Sequence, residues 1–341
     1  MKAVVKSRPE PGVEVKDIPI PEVADDEALI RVKAAAICGS DLGIYNYTAA
    51  YSGMRLPVVM GHEFAGEIVE TGTLVEGYTA GDRVLSESVK ACGECEYCRQ
   101  GMSNLCEDST LFGIHTDGGF AEYVTVPQGL LHRLPPGMSY EEAALVEPLS
   151  NAVHFVDDAT PYKPGDLVVV QGCGPIGLFS AQLIRLGGAK VIVSGLGVDG
   201  VRLGITERLG FEAVNIDEMD LVERVMELTD GKGADVAFVA VGASQAVKQA
   251  LRLVRKRGTV TVVGIFGADV PVDLTRLVRR ELTVVGAYDA RPANFPTSIS
   301  HISQGRVNVG DVLTHRFSLD DAEAAFTVAL ERTGGKVEFK P

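Results

Sequence analysis

Short apolar runs broken by glycine and proline fill the chain to about residue 150. The stretches 13–16, 28–34, 64–69, 83–86 and 121–126 read as strands, with Gly72, Gly77, Gly81 and Pro127 as breaks between them. Long helical patterns are scarce there. The texture changes near Tyr162-Lys-Pro-Gly-Asp166. Apolar strands at 167–171, 190–194, 213–215, 236–241, 259–263 and 283–285 now alternate with helical patterns at 176–186, 201–209, 220–228 and 244–254. This alternation predicts an α/β fold with a doubly wound parallel sheet and helices on both faces. Past about residue 290 the pattern loosens, ending in an amphipathic helix at 320–330 and a strand at 336–339.

Composition narrows the function classes. A length of 341 residues suggests roughly two domains, and 46% apolar residues suffice for packed cores. With 32 basic and 46 acidic residues the net charge is −14. That disfavours nucleic acid and anionic membrane surfaces as partners, since both attract a basic face. The N-terminus has no apolar stretch of signal-peptide length, and no run approaches the roughly 18 apolar residues of a membrane span. A soluble cytoplasmic protein acting on a small molecule is the expectation.

Four cysteines stand in one short run: Cys92, Cys95, Cys98 and Cys106, with gaps of two, two and seven residues. Four soft ligands at such spacing suit a closed tetrahedral Zn²⁺ site. Disulfides are the bland alternative, disfavoured because cytosolic thiols stay reduced. A CxxC redox pair would leave two cysteines unexplained. With four thiolates no coordination position stays open, so such a zinc is structural and the chemistry must lie elsewhere.

The stretch Val168-Val-Val-Gln-Gly172-Cys-Gly174-Pro175-Ile176-Gly177 follows an apolar strand and opens an apolar helix. That context makes its GxGxxG spacing a dinucleotide signature rather than a generic turn. Gly172 permits the tight turn, Gly174 the approach of a pyrophosphate, and Gly177 the packing of helix on strand. Pro175 and Ile176 within the turn, with Val241 and Gly264 at the ends of later strands, complete the expected cofactor contacts. NAD-binding sites usually carry an acid at the end of the second strand. Here the run is Val191-Ile-Val-Ser194-Gly195, so a glycine falls there. A missing carboxylate removes repulsion against a 2′-phosphate. Ser194 and Arg202 or Lys190 are placed to meet one, which leans the cofactor toward NADP. Asp199 folding back would restore the acid.

Three fragments suggest a second metal: Cys38-Gly-Ser40-Asp41, Gly61-His62-Glu63 and Glu147-Pro148. Together with Gly118-Gly-Phe-Ala-Glu122, the cysteine cluster, the glycine turn and Thr314-His-Arg-Phe317, they make the chain resemble the zinc-dependent medium-chain dehydrogenases over nearly its whole length. Within them it is most similar to the sorbitol (polyol) and threonine dehydrogenase branch, because Glu147 stands where plain alcohol dehydrogenases usually have cysteine.

That resemblance implies a GroES-like β-barrel catalytic domain at 1–150, with a structural zinc lobe at about 88–110. A Rossmann NAD(P)-binding domain follows at 151–288, and 289–341 completes the catalytic domain. It implies two zincs per chain, the catalytic one held in the interdomain cleft. Cys38 and His62 would be its firm ligands, with Glu63 and Glu147 sharing the remaining role. Ser40 would be the first proton acceptor, and Asp41 would orient the site. Gly43 replaces a histidine that relatives use to pass the proton on, so Glu147, a water chain or the ribose hydroxyls would take over. Tyr45 and Arg291 are the candidate substrate contacts. The implied reaction is hydride transfer between NAD(P) and a secondary alcohol of a polyol, sugar or hydroxy amino acid. An NADP-dependent reductase of small ketones or aldehydes is the nearest alternative, and a non-catalytic ligand-sensing relative a distant one. Homotetramers or homodimers, pairing through the sheet edge at 283–285, are implied as well.

Overall fold

A computed structural model describes all 341 residues. The chain forms two compact units, Met1–Ser150 with Ala290–Gly305 and Leu313–Pro341, and Asn151–Asp289 with Arg306–Val312.

The first unit is built on the strand Glu27–Ala36. Glu63–Thr71 pairs antiparallel along one edge of it. Tyr123–Pro127 and Lys336–Phe339 share the other edge, at residues 27–31 and 35–36. Arg83–Ser86 and Leu131–Arg133 extend the sheet on one side, and Leu313–Phe317 extends it on the other by a parallel pairing. A small sheet of Glu14–Asp17, Lys2–Lys6 and Val58–Val59 joins through a bridge from Ala3 to Ala121. Ile30, Val32, Phe64, Ile68, Val84, Phe120 and Phe339 fill the core. The helix Ala322–Leu330 seals it with Ala322, Ala325, Phe326 and Ala329, a spacing of three and four that makes one buried stripe. The helix Tyr140–Ala144 packs against Glu27–Ala36 and Glu63–Thr71 and is capped by a Ser139–Glu142 box.

The second unit is a six-stranded sheet in which every pairing is parallel. The order is Glu212–Asn215, Lys190–Gly195, Leu167–Gln171, Ala234–Val239, Val254–Val262, Thr283–Gly286. This order, starting from a central first strand and running outward both ways, is the doubly wound arrangement. The helices Pro175–Leu186, Gly200–Arg208, Leu221–Leu228 and Ser244–Leu253 lie between the strands as the pattern predicts. The strand predicted at 259–263 starts earlier, at Val254, because a register shift near Ala234 lets the chain pair before the regular ladder begins. The helices Leu274–Arg280 and Asn294–Ser303 have no counterpart in the predicted pattern. Arg306–Val312 joins this unit rather than the first, as Gln182 Nε2 donates to the Asn308 carbonyl at 3.2 Å and Asn308 N to Gln182 Oε1 at 2.8 Å. No helix is long and apolar enough to cross a membrane.

Candidate metal centres and nucleotide turn

Strand register assembles the first centre. Ala36 pairs with Glu63 on one side and with Glu338 on the other. His62 immediately precedes Glu63, and Cys38 follows Ala36 by two residues as the N-cap of the helix Gly39–Tyr45. One ligand atom from each of Cys38, His62 and Glu63 therefore falls within 4.8 Å of the others. His62 and Glu63 are buried and Cys38 is half-buried.

The first turn of that helix supports the cluster. Asp41 Oδ2 accepts from the Cys38 backbone N–H at 2.8 Å, and Asp41 Oδ1 lies 3.9 Å from His62 Nδ1. Neither Asp41 Oδ1 nor His62 Nδ1 has a hydrogen-bond partner, though both are buried. The other ring nitrogen, His62 Nε2, is 3.4 Å from Ser40 Oγ. A carboxylate on the Nδ1 side of a ligating imidazole fixes its orientation, and Asp41 stands in that position. Burial raises the pKa of Asp41 against the pull of His62. Burial opposes charging of His62, but Asp41, Cys38 and Glu147 together lift it well above the usual histidine value.

Glu63 has a partner that sequence reasoning missed. Lys336 Nζ lies 2.5 Å from both its carboxylate oxygens, with both side chains almost wholly buried. Burial pushes Glu63 up to about 7, against the opposing charge of Lys336. Burial likewise works against the charged form of Lys336, yet Glu63 and Cys38 raise its pKa. Glu147, the second residue of the helix Val146–Val153, is buried but stays outside the three-residue cluster. Its charge still acts on His62, Glu63 and Lys336. Thiol, imidazole and carboxyl in one buried spot are the donor set of an open zinc site, with an orphaned histidine nitrogen facing an orphaned carboxylate oxygen behind it.

The second centre is the four-cysteine lobe. Ligand atoms of Cys92, Cys95, Cys98 and Cys106 all lie within 4.8 Å of one another, and every cysteine of the chain is free. Backbone N–H groups point at the sulfurs: Cys95 N to Cys92 Sγ at 3.3 Å, Cys98 N to Cys95 Sγ at 3.4 Å, and Cys92 N to Cys106 Sγ at 3.4 Å. The N–H groups of Glu94 and Cys95 draw Cys92 down to about 7. Burial, then the neighbouring thiol of Cys95, pushes Cys98 up to about 12. Four clustered sulfurs ionise together only around a cation, so the lobe fits a metal.

The glycine turn lies at the carboxyl ends of the parallel strands. Gly172 has φ +111, and a Cβ on it would lie 2.4 Å from Val241 Cγ1. A Cβ on Gly177 would lie 1.9 Å from the Gly172 carbonyl oxygen, so only glycine lets this helix start so near the strand. A Cβ on Gly264 would meet the Val241 carbonyl at 2.3 Å. Gly172, Gly177, Val241 and Gly264 are thus one neighbourhood. Pro175 and Ile176 form the first turn of the helix, with Gly174 as its N-cap. The N–H groups of its first turn, Pro175 having none, are where such a helix start takes an anion.

Other expected residues fall differently. Ser194 is buried within its strand, paired between Gln171 and Val214. Lys190 cannot serve a phosphate at Gly195, because it opens the same strand, about 16 Å away at the strand rise. Arg202 is 3.6 Å from Asp199 in an ion pair. Tyr45 stacks on Phe326 with centroids 4.9 Å apart and its hydroxyl donates to Glu323 at 2.8 Å, so it is committed to the helix Ala322–Leu330. The Arg291 backbone N–H donates to Asn294 Oδ1 at 2.8 Å, ahead of the helix Asn294–Ser303. The space at Gly43 is filled by an aromatic ring, since a Cβ there would lie 2.5 Å from Tyr51 Cε2. No sequence pattern flags Tyr51. Lys336 has a weak signal: it alternates with Val337 and Phe339 in the last strand and so faces away from the core they enter.

Comparison with known proteins gives two family matches. Residues 24–136 match the Alcohol dehydrogenase GroES-like domain, and residues 175–304 the Zinc-binding dehydrogenase family. The chain is 39% identical to a sorbitol dehydrogenase of Halalkalibacterium halodurans over 345 aligned positions, covering 100% of this chain and 99% of that protein. It is 37% identical to D-arabitol-phosphate dehydrogenase of Enterococcus avium, covering 94% and 92%. Among solved structures, a zinc-binding dehydrogenase of Sinorhizobium meliloti 1021 bound to NADP superposes with a TM-score of 0.92 at 32% identity, covering 100% of this chain and 99% of that one.

Proposed function

We propose a specific reaction for a chain that belongs to the zinc-dependent medium-chain dehydrogenase family, with a GroES-like unit and a Rossmann-like parallel sheet. Membership makes it an NAD(P)-dependent oxidoreductase of polyols and related hydroxy compounds. Within that class we assign it the secondary hydroxyl of a sugar alcohol, as in the sorbitol and arabitol-phosphate relatives. The observation that carries this is the buried cluster of Cys38, His62 and Glu63, backed by Asp41 and Lys336.

Cys38, His62 and Glu63 would hold a catalytic zinc, with Glu147 at hand to exchange with Glu63. Cys92, Cys95, Cys98 and Cys106 would hold a second, structural one. Zinc bound at the first site supplies a Lewis acid that makes a substrate hydroxyl acidic and polarises a carbonyl in reverse. The remaining work falls to side chains. Asp41 holds the imidazole of His62 in one orientation and anchors the Cys38 backbone. Ser40 Oγ, 3.4 Å from His62 Nε2, accepts the substrate proton while passing its own on toward solvent through Glu147 or a water chain. Lys336 balances the charge of Glu63 and keeps its carboxylate from turning away. The glycine turn seats the pyrophosphate so that the nicotinamide can carry the hydride.

Assembly into at least a homodimer goes with this function. The edge strand Thr283–Gly286 pairs on one side only, with Val254–Val262, and carries an exposed Val284. Leu274 and Val278, 66% and 70% exposed on the helix leading into it, give it an apolar flank. An open apolar edge is a template for a second strand. A cytoplasmic location fits too, because four zinc-binding thiols need a reducing compartment.

A spectrophotometric panel tests the reaction: sorbitol, arabitol, other polyols, threonine and simple alcohols, each with NAD and with NADP, alongside metal analysis. The expected result is polyol oxidation that stops on chelation and returns with zinc. Turnover of simple alcohols or threonine in preference to every polyol would overturn the assignment.

A further inference from the structure

The second strand of the parallel sheet, Lys190–Gly195, ends without an acid, and the structure shows what occupies the place. A Cβ on Gly195 would lie 2.5 Å from Cys173 Sγ and 3.5 Å from Asp199 Cβ. The thiol of the glycine turn therefore fills the space beside residue 195, and the Cβ of Asp199 lies close to the same spot. Its carboxylate is held just past the strand end. Asp199 Oδ2 accepts from the Leu196 backbone N–H at 3.1 Å, and Oδ1 lies 3.6 Å from Arg202 Nη1. The next backbone N–H, of Gly197, donates to Asp217 Oδ2 at 2.8 Å.

We propose that Asp199 supplies, from the turn after the strand, the carboxylate that Gly195 lacks, and that it selects NAD(H) against NADP(H). The inference rests on the dehydrogenase function given above and adds its cofactor specificity. A carboxylate at this strand end accepts hydrogen bonds from ribose hydroxyls. A 2′-phosphate needs the opposite: free N–H donors and an uncompensated cation. Both N–H groups following the strand already donate to carboxylates, and the charge of Arg202 is balanced by Asp199. Two acids, Asp199 and Asp217, stand against one arginine, which repels a phosphate group of nearly two negative charges. The bare glycine alone points to NADP; the folded-back acid reverses it.

Binding to the full chain tests this without turnover. Dissociation constants for NADH and NADPH come from nicotinamide fluorescence, and those for ADP and 2′,5′-ADP from calorimetry. The chain should bind NADH and ADP at least tenfold more tightly than their 2′-phosphorylated counterparts. Asp199→Asn keeps an acceptor for the Leu196 N–H and removes the charge, so it should shrink that ratio at least fivefold. NADPH binding as tight as NADH in the unaltered chain would overturn the proposal, whatever the variant's folding. So would an unchanged ratio in a folded Asp199→Asn. If neither dinucleotide binds, the dehydrogenase function itself fails and this inference falls with it; binding with the wrong ratio overturns the inference alone.

Discussion

Removing the charge of Glu338 should stabilise this protein at high pH and not at low pH. Glu338 sits in the last strand with its side chain fully buried, and neither carboxylate oxygen accepts a hydrogen bond. Its nearest cation is Arg316, whose Nε is 4.0 Å away. Burial pushes its pKa up to about 7, helped by the negative charge of Glu141; Arg316 and Lys340 pull the other way without prevailing. The folded value thus exceeds the ordinary glutamate value of 4.5. Below 4.5 the group is protonated in both states and costs nothing extra. As pH rises to 7 the unfolded chain ionises and the folded one resists, so stability falls across that window. The gap corresponds to roughly 3 kcal/mol, fully developed above pH 7. Glu338→Gln keeps the shape and cannot ionise. Urea denaturation at pH 5 and at pH 8 should show the variant gaining about 2–3 kcal/mol on the parent at pH 8 relative to its standing at pH 5. Any fixed cost of burying an amide is common to both and cancels. The same difference between variant and parent at both pH values would refute the reasoning.

Other perturbations test the site and the assembly. Lys336→Met should cost about 3–5 kcal/mol in denaturation, because it strands the buried charge of Glu63, and adding Glu63→Gln should recover most of it. A loss under about 1 kcal/mol would mean that the ion pair holds nothing in place. On the proposed two-centre assignment, Cys98→Ser should lower bound zinc from about two to about one per chain by elemental analysis, and His62→Ala should remove the other one. Equal zinc in both variants and the parent would break the two-centre assignment. If the edge Thr283–Gly286 pairs two copies as proposed, Val284→Asp should yield monomer in sedimentation, since the new charge would be buried against its own copy. An unchanged sedimentation coefficient would place the interface elsewhere.

The sequence shows the parallel sheet clearly because each strand and helix there is local. Val168-Val-Val reads as a buried strand, Gly172–Gly177 as the turn after it, and the order of the elements needs no distant partner. The first centre is legible in its residue types but not in its construction. Cys38 and His62 stand in chain segments joined by the pairing of Ala36 with Glu63, a register that depends on long-range strand contacts. Lys336 illustrates the limit best. By alternation alone its face of the strand could be open to water, where lysine is unremarkable. The helix Tyr140–Ala144 lies over the neighbouring strands of that sheet instead, and Lys336 ends up 3% exposed. Nothing within the local pattern Lys336-Val-Glu-Phe339 says which of these holds.

The same burial acts on two acids of one strand neighbourhood that differ in their counter-charge. Glu63 and Glu338 flank Ala36 in adjacent strands, so in a pleated sheet they project on one face. Glu63 meets a lysine at 2.5 Å on both oxygens, whereas Glu338 meets only an arginine at 4.0 Å. Burial raises both to about 7, so each resists ionisation near neutral pH, but only Glu63 has a close counter-charge to offset the loss of its proton. The reach of two cations thus decides which carboxylate is compensated when it ionises, and it is the one next to Cys38 and His62. Removing the counter-charge should therefore expose Glu63 as well: Lys336→Met leaves it with the liability that Glu338 carries now. The denaturation profile of that variant should fall more steeply between pH 5 and pH 8 than the parent's, adding to the slope that Glu338→Gln removes.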